Sequence, residues 1–370
     1  MPEGIWLGDS TSLGNDTLLD LLKTTQADMP WDGQFETLQK YHQYPICNTW
    51  FTRDKVTQDG GAGIIRNVQL TETGTARFVL PWEPTAVSAS DVQGRLRIDY
   101  TKLQDSYSIS RDEMLRSRGK GKLIDLEKTR RMTMLMNMAN KIEVAAWTAP
   151  TSAANAQRVP YGIPYWLIKP TADQTTADTE GHFGGNPTGF SDCGGIDCTQ
   201  TEPDASRWKS YIASWEAAGG GITDADILKL TQMLRRLHFK APIFVKDQKD
   251  SSLRTLSIYC GETTLNNLED RARKNNDSLG ADVAKYAGAT LIKNIPLEWN
   301  EQLDSDTTYP LYAVNHDYFH PVVLQGDYFR TEGPMNDRSL PDVFTTFDNL
   351  TFNFLCINRR TAGGCIAYST

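Results

Sequence analysis

The chain has 370 residues, long enough for two or three sub-domains and a sizeable buried core. Hydrophobic residues make up 39% and charged residues 23%, which excludes a largely disordered chain, and no stretch approaches the ~20 consecutive apolar residues of a membrane helix. The 46 acidic and 38 basic side chains give a formal charge of −8, which excludes a surface broadly suited to gripping duplex DNA, because that needs clustered Lys and Arg.

Residues 1 to about 50 read as an arm. The opening MPEGIWLGDS lacks the basic start and apolar run of a secretory signal, so a soluble, cytosolic product is expected. Asn15 or Asp16 is placed to cap a short helix, TLLDLLKTT, with Leu18, Leu21 and Leu22 on one stripe. Ile5, Trp6, Trp31, Phe35, Tyr41, Tyr44 and Trp50 surround it among turn-forming residues. So short a helix cannot cover these aromatics, so the arm rests either on its own domain or on a neighbour.

From about 51 to 110 the pattern turns to strands. GGAGIIRNVQL and TARFVLPW, separated by TETG, predict a hairpin. GRLRIDY alternates Leu96, Ile98 and Tyr100 with Arg95, Arg97 and Asp99, the mark of a half-buried strand. An isolated hairpin is unstable in water, so a long β-loop with one apolar face is a candidate clamp.

Residues 111 to 148 carry the longest helical signal. KLIDLEKTRRMTMLMNMANKIEVAAW has no Pro or Gly, and Leu135, Met138, Ile142 and Ala145 predict its buried stripe, with Pro150 as the stop. Met132, Met134, Met136 and Met138 are read as core packing rather than a partner groove. Arg116, Arg118, Lys120, Lys122, Lys128, Arg130 and Arg131 form the main basic concentration, first of all a solvated face.

Between about 150 and 221 lies a polar, loop-rich stretch, unusual inside a compact domain. It is interrupted by GIPYWLI and by RWKSYIASW, the latter predicting a short helix with Trp208, Tyr211, Ile212 and Trp215. Beyond it, Thr223 caps a helix whose Ile227, Leu230, Leu234 and Leu237 face one way, ended by Pro242. APIFVK and LRTLSIYC read as strands, ETTLNNLEDRARKN as a helix, and ATLIKNIPLEW, YPLYAVN and a closing LTFNFLCINRR as strands. This α+β order has no repeating βαβ unit and no glycine-rich phosphate turn, against a nucleotide-binding sheet.

The cysteines at 47, 193, 198, 260, 356 and 365 include one close pair, in SDCGGIDCT, too widely spaced for a zinc half-site and without a second half-site nearby. Free thiols, no metal and no cofactor are expected, with Cys356 as a small core residue. One constellation has the look of chemistry. Ser10 in Gly8-Asp9-Ser10, with Asp317 and His320, resembles the blocks of a small Ser-Asp-His esterase, Asn276 helping to hold the oxyanion. Against it, only GIWL precedes the serine where a buried strand belongs, Lys274 stands where a glycine is needed, and about fifty residues follow His320. His316 and His320 sit at i and i+4, yet Tyr318, Phe319 and Pro321 favour an extended or turn conformation over a helical metal pair. A non-enzymatic chain is the stronger reading.

The order of these pieces, together with SYSISRDEML, GIPYWLI, the run LRTLSIYCGETTLNNLEDRARKNNDSLGADVAKYAGATLIKNIPLEW and the closing NFLCINRRTAGG, resembles the major capsid proteins of tailed bacteriophages. Their shell fold is also found in herpesvirus capsid floors. The resemblance implies an N-terminal arm (1–50), an extended β-hairpin loop (51–110), and a peripheral domain with a spine helix and inserted loop (111–221). It further implies an axial domain (222–338) and a return to the peripheral domain (339–370). The implied function is self-assembly through pentamers and hexamers into an icosahedral shell around double-stranded DNA. The implied location is the virion after synthesis in the host bacterial cytoplasm, with no membrane partner.

Decoration, scaffolding and portal proteins are implied partners, and packaged DNA a non-specific one, for which an acidic wall eases filling and release. Trp6, Trp31, Phe35, Trp50, Ile65, Val68, Phe78 and Trp82 are the expected inter-subunit contacts, because aromatics dominate interface energetics. Arg116, Arg118, Lys120, Lys122, Arg130 and Arg131 are the expected inner face. Some relatives carry a self-cleaved segment or inter-subunit cross-links; Lys55 and Lys102, in or near the loop, read as solvated residues. Another virion component would share the acidic charge and polar loops, but would not need a long helix between a β-loop and an α/β body.

Overall fold

Among the described residues, the computed structural model divides fourteen strands among a five-stranded, a seven-stranded and a two-stranded sheet. It describes residues 40–72, 74–83, 92–116, 126–167, 181–183, 186–198, 207–215, 222–240, 242, 255–275, 291–293, 295–305, 311–336 and 341–368. In chain order the helices are α1 (Pro45–Trp50), α2 (Arg111–Arg116), α3 (Leu126–Ala146), α4 (Ile163–Trp166), α5 (Asp224–Leu237), α6 (Glu262–Asn275) and α7 (Arg359–Ala362). The strands are β1 (Thr57–Asp59), β2 (Ile64–Gln69), β3 (Gln93–Ile98), β4 (Thr101–Ser110), β5 (Gly181–Phe183), β6 (Ser210–Trp215) and β7 (Leu256–Cys260). Then follow β8 (Leu291–Ile292), β9 (Ile295–Trp299), β10 (Leu311–Asn315), β11 (Phe319–Leu324), β12 (Arg330–Asn336), β13 (Val343–Cys356) and β14 (Gly363–Tyr368).

Among the described residues, one compact unit gathers 104–138 and 331–348, and the other 41–103, 139–330 and 349–368. In the smaller unit, Ser110 and Glu113 form a capping box at the start of α2. The Ser110 N–H donates to Glu113 Oε2 at 3.0 Å, and the Glu113 N–H donates to Ser110 Oγ at 3.2 Å. Arg130 then clamps the same carboxylate with two N–H groups at 2.9 and 2.7 Å. Burial pulls the Glu113 pKa up, but Arg130 and Ser110 outweigh it and hold the carboxyl below its usual range.

The larger unit is built on a mixed seven-stranded sheet in the order β5-β6-β14-β10-β7-β9-β8. Helix α5 covers one face. Thr223 caps it with a reciprocal box to Asp226, and Leu230, Met233, Leu234 and Leu237 pack on Tyr211, Ala213, Leu256, Ile258, Leu311 and Ile366. The central strand β10 is buried throughout. Trp147, just after α3, lies edge-on to Tyr259 and Tyr312 at 5.2 and 6.1 Å between ring centres.

Two buried polar contacts fix α1 onto this unit. The helix lacks a side-chain cap of its own, and the Glu143 carboxylate of α3 takes that place, accepting from the N–H groups of Cys47 at 3.0 Å and Ile46 at 3.4 Å and from Trp147 Nε1 at 3.0 Å. At the other end, Trp50 Nε1 donates to His316 Nδ1 at 2.8 Å, while His316 Nε2 meets the Tyr259 hydroxyl at 3.0 Å. Because Nδ1 accepts, the neutral ring carries its proton on Nε2. Trp50 also stacks on Phe319 and lies edge-on to Phe354.

Several expectations change. TARFVLPW is not a strand; β2 pairs instead with β3, Ile64 opposite Ile98 through Gln69 opposite Gln93. Pro81 lacks an N–H for a ladder, and among the described residues nothing covers Phe78, Leu80 and Trp82, which are exposed. RWKSYIASW forms strand β6, not a helix; lying between β5 and β14 it is buried on both faces, which erases the alternation. The buried stripe of α3 is Met134, Met138, Ile142 and Ala146, an i+4 row, leaving Leu135 exposed and Ala145 only half-buried. β13 is not the closing strand, since α7 and β14 follow.

The sheets cut across the expected segments. Residues 222–338 split between sheets, with β7, β9 and β10 in the seven-stranded one and β11 and β12 pairing with β13 in the other. The last residues split likewise, β14 joining β10 and β6. Ile46 and Trp50, at the end of the expected arm, are buried in the larger unit. The TLLDLLKTT helix and, apart from Pro242, the APIFVK strand fall outside the described residues.

Burial, and secondarily the nearby Lys55 charge, hold His316 down at about 4, with Asp317 opposing. A histidine depressed on folding binds fewer protons in the native state than in the unfolded one, so stability is lost as pH falls from the unfolded value, ~6.5, towards the folded one. The wild-type chain should therefore lose about 2 kcal/mol between pH 8 and pH 5 relative to His316→Gln, read by urea unfolding of both at each pH. Parallel pH profiles for the two proteins would contradict this.

Candidate inter-subunit surface

A two-stranded ribbon has one face it can bury against its own chain, and β2/β3 uses that face at its base. Ile64, Leu96 and Ile98 are buried, and the Arg97 N–H donates to the Gly194 carbonyl at 2.8 Å. Gly194 has a φ of +67°, and a Cβ there would stand 3.0 Å from the Trp166 ring, so glycine admits both the turn and the close approach. Leu70 is buried at the ribbon's other end, and its N–H continues the ladder to the Val92 carbonyl at 2.9 Å. Arg66 and Asp59 pair at 2.8 Å beside the base, the guanidinium chiefly holding the Asp59 carboxyl below its usual range.

Beyond Leu70 the chain runs into the open. Residues 74–83 are all exposed, and Phe78 and Trp82 reach 106% and 101% relative exposure, with Val79 and Leu80 beside them. A local turn shapes this end. The Glu83 N–H donates to the Leu80 carbonyl at 3.2 Å, and the Leu80 N–H donates to Glu83 Oε2 at 3.0 Å. Pro81 takes the second position of the turn and Trp82 the third, with φ +73°. Left-handed backbone at the third position normally selects glycine, and a bulky aromatic there is strained by roughly 1–3 kcal/mol. A strained tryptophan with an uncovered indole contributes nothing to its own fold.

The other expected contacts divide. Ile65 is exposed on the outer face of the ribbon and Val68 is half-buried. Trp50 is corrected: it is fully enclosed in its own chain, its indole N–H spent on His316, so it cannot anchor a neighbour. Trp6, Trp31 and Phe35 lie outside the described residues, as do Arg118, Lys120 and Lys122. Arg116 lies on α2, and Arg131 is exposed on α3. Arg130 is corrected as part of a free basic face, because Glu113 already neutralises it. Leu228, Met335 and Ile357, which the sequence did not mark, are also exposed.

Of the esterase set, only Asp317 and His320 are among the described residues. Ser10 and Asn276 lie outside the described residues, the Asp317 carboxylate accepts from the Thr255 hydroxyl at 2.8 Å, and His316 lies in a turn and His320 on β11 rather than on a helix. Among the described residues no cluster of His, Cys, Asp and Glu has the arrangement of a metal site. All six cysteines are unbridged, and burial pushes the Cys193 and Cys260 thiols up to about 12.

The fold is that of the subunits of tailed-phage capsid shells. No family model matches the sequence, and no curated protein matches it. Among solved structures, the chain is similar to a subunit of the cyanophage A-1(L) capsid asymmetric unit, with a TM-score of 0.60 at 14% identity over 92% of this chain and 99% of that one. It is similar to a capsid chain of a native GTA particle, with a TM-score of 0.56 at 12% identity over 99% and 100%. The capsid of cyanophage P-SCSP1u matches with a TM-score of 0.50 at 9% identity over 92% of each chain.

Trp82→Gly should leave the unfolding midpoint of the unassembled chain unchanged or slightly raised, because it removes an uncovered side chain and relieves the left-handed backbone. A loss of more than about 1 kcal/mol in urea unfolding would mean that the indole is packed on its own chain.

Proposed function

We propose that this chain is the shell-forming subunit of a tailed-phage capsid, assembling with copies of itself through pentamers and hexamers into a shell that encloses double-stranded DNA. The observation that carries this reading is the uncovered apolar tip, Phe78, Leu80 and Trp82, held away from the core on a ribbon whose base is locked in place. Burying one such ring on a neighbour gains on the order of 3 kcal/mol before ordering costs. One contact of that size is weak, but repeated by every copy in a closed shell it becomes a container that opens only when many contacts break together. The role is structural, with no catalytic step, and the chain's place is in the virion after synthesis in the bacterial cytoplasm. Scaffolding, portal and decoration proteins are the further partners this reading brings.

In parts, the ribbon and its tip serve as the extended loop, α3 as the spine, and the seven-stranded sheet with α5 and α6 as the axial domain. Residues ahead of α1 serve as the arm. Nothing observed favours the esterase reading or a different virion component.

Overexpressed wild-type chain should form closed particles in negative-stain micrographs. The double variant Phe78→Ser/Trp82→Gly should be as soluble and as stable to urea, yet lower the particle yield at least ten-fold, the material remaining as small oligomers in sedimentation velocity. Shells at wild-type yield from a folded double variant would remove the tip from the assembly mechanism.

A further inference from the structure

Three segments far apart in sequence bring cationic side chains to one end of the seven-stranded sheet. His182 on β5 lies opposite Tyr211 of β6, and Tyr211 in turn lies opposite Gly364 of β14, so the three stand side by side across the sheet. The imidazole is edge-on to the Tyr211 ring at 5.4 Å. Met233 of α5 sits directly over Gly364, where a Cβ would come within 2.8 Å of its sulfur. One turn on, the last turn of α5 carries Arg235 and Arg236, and the short α7 that leads into β14 carries Arg360. Arg235, Arg236, Lys240 and Arg360 are exposed.

Among the described residues, neither Arg236 nor Arg360 pairs its guanidinium with a carboxylate, and the buried His182 Nδ1 has no hydrogen-bond partner. Burial first, and then the charges of Arg360 and Arg236, hold the imidazole down at about 4. The helix dipole accounts for arginines in the last turn of α5, but not for Arg360 arriving from another element or for an imidazole left unsatisfied beside them.

We propose that Arg236, Arg360 and His182 form a phosphate-binding patch. The chemistry selects phosphate over carboxylate. The two oxygens of a carboxylate lie in one plane close together, whereas the tetrahedral oxygens of a phosphate spread over a wider angle and can span guanidiniums arriving from two different elements together with an imidazole N–H. Arg235 and Lys240 extend the positive strip towards a second phosphate.

The test uses the full-length chain and two probes, inorganic phosphate and a fluorescein-labelled DNA duplex. Phosphate should shift the His182 ring resonance, assigned with His182→Gln, and raise its titration midpoint. Both effects should vanish in Arg236→Gln/Arg360→Gln, with the unfolding midpoint checked in parallel. If the natural source is a nucleic acid, the double variant should weaken duplex binding at least ten-fold and lower the slope of log affinity against log salt by about 2. If duplex binding is unchanged while the phosphate effect on His182 is lost, the patch takes free phosphate. An unmoved His182 resonance, or one that moves equally in the folded double variant, overturns the proposal. So does a double variant that only weakens concentration-dependent self-association, which would assign the arginines to carboxylates of a second copy. Particle formation by the same variant reads the shell role separately.

Discussion

A two-stranded ribbon cannot bury two faces, and the way this chain deals with that constraint governs its other features. The base of β2/β3 is closed by Ile64, Leu96 and Ile98 and tied to the turn at Gly194, so its inner face is part of the larger unit's core. The far end has no such support. Natural soluble chains blunt such ends with charge or turn chemistry, but here Pro81 and Glu83 shape a turn that presents Phe78 and Trp82 outward. Glycine would relax this backbone, so the tryptophan side chain, not the turn, is what the position presents.

Helix α1, which precedes the ribbon in the chain, is held by an interior that is more polar than its strand content suggests. Trp50, His316 and Tyr259 form a chain of hydrogen bonds, and Glu143 substitutes for the missing cap of α1. Burial pushes the Glu143 carboxyl up despite its three donors, as expected when desolvation outweighs hydrogen bonding. Such contacts add little net energy, but breaking one leaves a buried polar group unmatched. They fix one arrangement of α1 and β11 where apolar packing alone would allow several.

Much of this was legible in the sequence. The Thr223 capping box, α5, α6 and the alternation of β3 follow directly from spacing and cap chemistry, because each element is amphipathic and half-buried. Legibility fails where both faces are covered. β6 has no polar side to give it a period, so its aromatics mimic a helix, and the Gly363-Gly364 pair imitates a loop although it opens β14. There the glycines are required because a Cβ would collide with the Ala313 carbonyl or with Met233. The hairpin was located correctly but its partner strand was not, since the pairing of 64–69 with 93–98 spans more than twenty residues of intervening chain. Exposure of Phe78 and Trp82 could be suspected from composition, while the enclosure of Trp50 could not, because its partner His316 is 266 positions away.

Distance in sequence also hides electrostatics. The net charge of −8 describes the whole chain, and the basic run around 116–131 is its visible exception, yet within that run Arg130 is already neutralised by Glu113. Arg236 and Arg360, unremarkable in their own neighbourhoods, are carried by α5, packed over Gly364 through Met233, and by α7, which leads into β14. A linear count of charges measures solubility and long-range repulsion. Which cations remain free to meet a partner is set by the fold, since an arginine held by a buried carboxylate no longer presents its charge to anything outside.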